Sequence, residues 1–364
     1  MKKEFFKDIN GIQFTVLDTD RFKIIDHPDI SLKFNKENGY TIMEGNNEET
    51  YSPVGAFIAD IEVTTSCKGI PDENGIKKPC AFCYKSNSPI GTYMNLETYK
   101  NVLNNLNQNN TVTQVALGVD SEADTNPDLE EIFKYTRSIG IVPNLTVANI
   151  TDEKVDMLVK YIGACSVSRY SDKNYCYDSV KRLTDRGMTQ INIHQLVAEE
   201  TFDQIIETLD DIKTDPRLAK LNAIVLLSLK QKGRGEKFHR LSDDKFEIIY
   251  RRCIEQKIAF GSDSCGCNKL IDAAKKYGNY ERIKDYAEPC ESGLFSSYCN
   301  VDGIFFPCSF SENIEGWETG IDLSKPLKSF LEECWYHDKT VAFRNKLLNN
   351  LDCNNCRQCP VYKI

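Results

Sequence analysis

The chain has 364 residues, 41% of them hydrophobic and 27% charged, with 20 glycines, 12 prolines and a formal net charge of -9. That length exceeds what one core usually fills and suggests a domain of about 200 to 250 residues with a smaller companion, while the composition excludes fibrous, collagen-like and wholly disordered chains. The acidic balance disfavours indiscriminate binding to nucleic acid or anionic lipid. No run approaches the roughly 18 apolar residues of a membrane span, and the N-terminus lacks the apolar stretch of a signal peptide, so a soluble cytoplasmic protein with no membrane contact is expected.

Taken in chain order, residues 1–56 contain short alternating runs, Gly11 to Leu17 and Ile30 to Phe34, that read as a small β-rich extension. From Phe57, strand-length apolar runs alternate with segments of helical period. The predicted strands are Phe57 to Val63, Val112 to Gly118, Ile141 to Val147, Gly163 to Ser168, Gln190 to Leu196 and Asn222 to Leu229. The predicted helices are Leu96 to Leu106, Asp128 to Ser138, Asp152 to Tyr161, Tyr177 to Arg186, Thr201 to Ile212 and Asp243 to Gln256. Six βα units over 57–260 imply an α/β fold with a parallel sheet or barrel. After about Gly261 the period breaks down, and 261–364 reads as a separate, smaller domain.

Fifteen cysteines in a reducing compartment point to thiolate ligation or catalysis rather than to disulfides. Cys67 follows the first predicted strand, and Cys80-Ala81-Phe82-Cys83 follows a polar loop. In parallel βα architectures the carboxyl ends of the strands are where ligands collect. Three thiolates without a nearby fourth suit an iron-sulfur cube with one iron left open, since structural zinc takes four ligands. A zinc knuckle or two buried thiols is the plainer alternative.

This arrangement resembles the radical S-adenosylmethionine enzymes, which place three cysteines after the first strand of a partial (β/α)6 barrel, usually as CxxxCxxC with an aromatic before the last. Phe82 holds the aromatic place. The departure is the first gap, twelve residues instead of three, which requires the cluster loop to bulge. The resemblance runs from Phe57 to the C-terminus and implies a partial TIM-like barrel and a [4Fe-4S] cluster held by Cys67, Cys80 and Cys83. It further implies S-adenosylmethionine on the open iron, reductive cleavage to a 5′-deoxyadenosyl radical, and an electron donor of the flavodoxin or ferredoxin type. It also implies cofactor contacts around the barrel mouth. Gly118 and Asp120 stand where the family meets the methionine amino group, although Asp120 equally reads as a loop acid. Ser168 and Arg169 stand where it contacts ribose or carboxylate. Asn144 and Asn149, after the third strand, are expected to reach the same space, and after the fifth strand Asn192 and His194 are two polar residues that period two places on one face, toward the barrel interior. Cys176 is the candidate hydrogen-atom donor, with an inert buried thiol as its alternative.

Near the C-terminus, Cys290, the Asp302-Gly303 turn and Cys308 frame a hairpin, and Cys353, Cys356 and Cys359 follow. The spacing is similar to the SPASM and twitch auxiliary-cluster domains, which implies a small α+β iron-sulfur domain with one auxiliary [4Fe-4S] cluster. The best ligands on that likeness are Cys290, Cys308, Cys356 and Cys359, with Cys353 or Cys299 as substitutes; Cys299, within an apolar strand, equally reads as packed, and Cys265 and Cys267 read as ligands of the same centre or as border-loop residues. A segment rich in bases, Lys230 to Arg240, is either a docking strip or a solvated loop. The leading functional reading is radical modification of a peptide substrate. A small molecule, nucleotide or nucleic acid is the alternative, nucleic acid being less favoured. A zinc-bound, non-enzymatic interaction protein is the third.

Overall fold

The computed structural model describes residues 2–45, 51–72, 74–351 and 357–362. The N-terminal segment is an antiparallel meander of β1 (Lys2–Lys7), β2 (Gln13–Asp18), β3 (Phe22–Asp26), β4 (Ile30–Asn35) and β5 (Thr41–Gly45), paired in sequential order. Its alternating residues Phe14, Val16, Ile25, Leu32 and Phe34 are buried, as period two requires of a sheet covered on one face. Lys23 ties this sheet to the rest of the molecule, its Nζ donating to Asn110 Oδ1 at 2.8 Å and to the Val112 carbonyl at 2.7 Å.

The main body is β6 (Ile58–Glu62), a two-residue hairpin of β7 (Ile70–Pro71) and β8 (Lys77–Lys78), and then alternating elements. These are α1 (Leu96–Leu106), β9 (Gln114–Gly118), α2 (Leu129–Ser138), β10 (Val142–Val147), α3 (Asp152–Tyr161), β11 (Cys165–Ser168), α4 (Lys173–Asp185), β12 (Ile191–Val197), α5 (Phe202–Thr214), β13 (Ala223–Ser228) and α6 (Asp243–Glu255). There follow β14 (Phe260–Ser262), α7 (Cys267–Lys276), α8 (Tyr280–Ile283), β15 (Ser296–Cys299), β16 (Ile304–Phe306), β17 (Ile321–Asp322) and α9 (Asp338–Leu348). The protein is therefore α/β with a largely parallel sheet and an N-terminal antiparallel sheet.

The six expected βα units are present, with local reasons for their boundaries. Asn95 caps α1 by accepting from the Thr98 amide at 2.9 Å, and Asp172 caps α4 by accepting from the Asn174 amide at 2.9 Å. Asp152 and Glu153 place negative charge in the first turn of α3. Two features were not foreseen. A seventh parallel strand, β14, joins β13, and β15 pairs in parallel with β6, so one ten-stranded sheet runs β14-β13-β12-β11-β10-β9-β6-β15-β16-β17. The hairpin of β15 and β16 turns at Gly303, whose φ of +78° suits glycine.

The parallel strands curl. A single cavity of about 540 Å³ is lined by residues from β6, β9, β10, β11, β12 and β13. Six neighbouring strands laid flat would span about 24 Å at the usual sheet spacing, too wide for all of them to border one such cavity. Among the described residues, no helix is long and apolar enough to cross a membrane.

Candidate functional site

The site is built outward from the end of β6. The Cys67 amide donates to the Ser88 carbonyl at 2.7 Å, and the twelve-residue gap that follows is taken up by the β7/β8 hairpin. Asp72 shapes its turn by accepting from the amides of Asn74 (2.9 Å) and Ile76 (3.0 Å). Gly69 makes the close approach possible: its φ is +78°, and a Cβ there would lie 1.8 Å from the Lys78 carbonyl oxygen. The insertion thus leaves as a hairpin and returns the chain to Cys80. Lys77 pairs with Glu122, and Lys68 lies 3.7 Å from Asp124, so the hairpin is held to the loop after β9.

A second segment clamps the Cys80–Cys83 turn. Arg234 Nε donates to the Cys80 carbonyl and its NH2 to the Asn87 carbonyl, both at 2.9 Å, while its amide donates to the Cys83 carbonyl at 3.1 Å. Gly233, with φ +57°, sits so close that a Cβ would lie 2.5 Å from the Tyr84 carbonyl oxygen. Lys230 pairs with Asp263, and Lys232 Nζ donates to the Glu312 carbonyl at 2.9 Å. Of the basic residues in the 230–240 segment, Lys230, Lys232 and Arg234 are thus spent on internal contacts. A hydrogen bond from Cys80 holds Cys83 down to about 6, helped by the amides of Asn87 and Lys85, and Cys80 is pushed up in turn. Tyr170 bonds to the Cys80 thiol and stacks on Phe82 with ring centroids 5.5 Å apart.

Cys67, Cys80 and Cys83 all line the 540 Å³ cavity, and among the described residues no other cysteine does. Phe82, Gly118, Asp120, Ser168, Arg169 and His194 also border it. Two of these are engaged elsewhere. The Asp120 carboxylate accepts from the amides of Glu122, Asp124 and Thr125, which is the behaviour of a loop acid. Arg169 turns its guanidinium to Glu207 at 2.8 Å and to the Ser171 carbonyl at 3.2 Å, and its Nε is buried without a partner. His194 faces the cavity, and enclosure pushes it down to about 4, so the ring is neutral at pH 7.

Three predicted site residues lie elsewhere. Cys176 does occupy the first turn of α4 but points into the core, 1% exposed, with its Sγ 3.6 Å from the Val167 carbonyl. Burial pushes its thiol up to about 12. The spacing of Cys176, Val180 and Leu183 is that of an apolar helix stripe, and this was the signal in the sequence. Asn144 spends its side chain on Gln114 Oε1 and the Ala164 amide, both at 2.8 Å. Asn192 shares a strand face with His194 but sits nearer the strand's start, where its Oδ1 accepts from Asn222 at 2.9 Å.

A second cavity, about 210 Å³, is lined by Cys265, Cys290, Cys308 and Cys359. Cys353 and Cys356 lie outside the described residues. Cys267 is buried in the first turn of α7, and Cys299 is buried within β15. Hydrogen-bond donors are aimed at three of the four sulfurs. Tyr362 N approaches Cys359 Sγ at 3.3 Å, the amide and hydroxyl of Ser292 meet Cys290, and the Phe310 amide meets Cys308. Burial nevertheless pushes Cys308 up to about 11 as a thiol. Among the described residues no group of three or more His, Cys, Asp or Glu side chains converges to hold a metal ion.

The sequence reading missed the polar wall of the first cavity. Asp60 and Glu62 alternate on the interior face of β6, a period-two signal that was legible. Glu62 lies 3.3 Å from Lys85 Nζ and accepts from the Tyr298 hydroxyl at 3.1 Å. Asp60, by contrast, is exposed at the cavity wall. Asp60, Lys230, Asp263, Ser309 and Phe310 border both cavities, forming the partition between the two thiol sets.

No family model matches the chain. No curated protein matches it either. Among solved structures it is similar to BtrN in complex with AdoMet and 2-DOIA, at 13% identity over 80% of this chain and 87% of that one, with a TM-score of 0.40. A selenomethionine form of BtrN in an open conformation gives 12% identity, coverage of 84% and 92%, and a TM-score of 0.41. The HpcH/HpaI aldolase from Desulfitobacterium hafniense DCB-2 gives 10% identity, coverage of 64% and 92%, and a TM-score of 0.35. These are distant likenesses of fold.

Proposed function

We propose that the protein is a radical S-adenosylmethionine enzyme. Cys67, Cys80 and Cys83 would hold a [4Fe-4S] cluster, and Cys265, Cys290, Cys308 and Cys359 an auxiliary one. The observation that carries this reading is the thiol count: three cysteines from one strand-end loop border the mouth cavity, without a fourth among the described residues. When bound, the cluster and cofactor supply a 5′-deoxyadenosyl radical that abstracts hydrogen from the substrate.

The chain's own residues supply position and shelter. Phe82, stacked on Tyr170 and edge-on to Phe238 at 5.8 Å, covers the cluster loop with apolar surface and keeps water from it. Neutral His194, whose Nδ1 lies 3.4 Å from the Thr146 hydroxyl oxygen, keeps Nε2 for a bound molecule, and the Ser168 hydroxyl offers a second contact. The ion pairs of Lys85 and Lys230 hold the cavity wall in one arrangement.

The substrate reading is a peptide that presents one side chain, or a small molecule. A cavity of about 540 Å³ falls within the range of small-ligand sites and must also receive the cofactor, which favours a compact reacting group. The inward commitment of Lys230, Lys232 and Arg234 weighs against nucleic acid. The electron donor is proposed to be of the flavodoxin or ferredoxin type. Anaerobic reconstitution tests the whole. The protein should be brown, hold about eight irons and form 5′-deoxyadenosine with dithionite, and replacing Cys67, Cys80 and Cys83 by alanine should abolish that product. Colourless protein holding zinc, or cleavage that survives the triple replacement, overturns the assignment.

A further inference from the structure

The cavity of the C-terminal thiols has a single source of positive charge in its wall. Among the described residues that line it, Lys230 is the one cation, set among Cys265, Cys290, Cys308, Cys359 and the acids Asp60 and Asp263. Lys230 is buried, and three contacts fix its side chain. Its ammonium pairs with Asp263, hydrogen-bonds to the Cys265 sulfur and lies 5.1 Å from the centroid of the Phe310 ring.

The backbone explains why charge and sulfur meet. Lys230 follows β13 and Cys265 follows β14, and these strands pair side by side. Asp263 Oδ1 accepts from the Ser228 amide at 3.1 Å and from the Gly266 amide at 3.0 Å, which seats the turn carrying Cys265 beside Lys230. Of the two charges next to Cys265, the ammonium acts the more strongly. Arg357, which also stands near these thiols, spends its guanidinium on the carbonyls of Cys290 and Pro289, at 2.8 Å and 3.2 Å. An iron-sulfur cluster gains one negative charge when it is reduced. A fixed positive charge and a hydrogen bond to a ligand sulfur both favour that form, and burial strengthens them.

We infer that Lys230 sets the reduction potential of the C-terminal site, raising it through its charge and its hydrogen bond to Cys265. The inference rests on the enzyme reading above and gives the partition between the two cavities an electrostatic role. Lys230 is a positioning residue in this: one electron enters the cluster, no bond of the protein forms or breaks, and the lysine keeps its proton. Asp263 opposes the ammonium and tempers its effect.

The test uses the full-length chain with Cys67, Cys80 and Cys83 replaced by alanine, reconstituted anaerobically so that the C-terminal cluster alone gives a signal. Its potential is read by electron paramagnetic resonance during a reductive titration. Lys230→Met should disfavour reduction by about tenfold, which is about 59 mV for one electron. Lys230→Arg keeps the charge and should hold most of the starting potential. Asp263→Asn should shift the potential upward, because the opposing charge is lost while Oδ1 still serves the two amides. That variant also carries the test if Lys230→Met does not accumulate. Opposite shifts from the two members of one ion pair mark an effect of charge, since loosened packing would move both the same way. A potential unmoved in Lys230→Met and Asp263→Asn, or shifted the same way in both, overturns the inference. So does a fall in Lys230→Arg equal to that in Lys230→Met. Iron content is measured on the same samples. An iron-bearing site whose potential ignores Lys230 defeats the inference alone, whereas failure of the triple variant to hold any iron defeats the auxiliary cluster of the enzyme reading together with it.

Discussion

Cys67, Cys80 and Cys83 come from one loop, clamped by its own hairpin and by the Gly233–Lys237 segment, whereas Cys265, Cys290, Cys308 and Cys359 come from four separated stretches of chain. The first set is a local object. Its turn is fixed by Asp72, Gly69, Arg234 and Gly233, and a twelve-residue insertion is absorbed because it folds on itself and returns. The second set depends on distant anchors. Arg357 Nε donates to the Cys290 carbonyl at 2.8 Å, Arg344 Nε to the Gly293 carbonyl at 2.9 Å, and Trp335 Nε1 to the Ser52 carbonyl at 2.8 Å. A loop-borne site tolerates changes of spacing, while a site assembled from dispersed segments tolerates little change in how those segments pack.

The largest expected effect tests the dispersed set. Cys265→Ala should remove about four of roughly eight irons, with cofactor cleavage retained, while Cys267→Ala should leave the iron content unchanged; iron and sulfide analysis reads both. Next, Arg234→Ala strands the Cys80 and Asn87 carbonyls and should cost about 3 kcal/mol in urea denaturation, with iron lost from the loop-borne site first. Gly233→Ala, forced against the Tyr84 carbonyl at positive φ, should cost about 2 kcal/mol by the same measurement and likewise spare the C-terminal site. The smallest effect concerns His194 in the apoprotein. Its folded value is about 4, below the usual 6.5 of the unfolded chain. The unfolded state binds the additional proton between those values, so His194 makes stability rise with pH from about 4 to about 6.5 and contributes no slope above that. His194→Gln should remove up to about 1.4 kcal/mol per pH unit of that slope, read from denaturation midpoints across the window.

Much of the fold was legible because it is written in local periodicity. The helices Leu96–Leu106 and Asp152–Tyr161 fall where the apolar stripe places them. The start of α4 was missed by four residues because its first turn, Lys173-Asn174-Tyr175-Cys176, is mostly polar and is set by the Asp172 cap. β14 has three residues and β15 reads Ser-Ser-Tyr-Cys, so neither carries an apolar run that announces a strand. The partner of β15, β6, moreover lies far away in sequence.

The sequence by itself determined the βα alternation, the N-terminal β-rich segment and the grouping of three thiols behind the first long strand, since each is a matter of spacing along a few dozen residues. Only the tertiary structure decided that Cys265 stands with Cys290, Cys308 and Cys359, that Cys176 faces the core, and that part of the basic segment clamps the cluster loop. It alone also set exposed Asp60 apart from buried Glu62. The reason is physical: a side chain's partners, burial and charge balance are set by segments brought beside it when the sheet curls, and no local pattern of residues encodes which segments those will be.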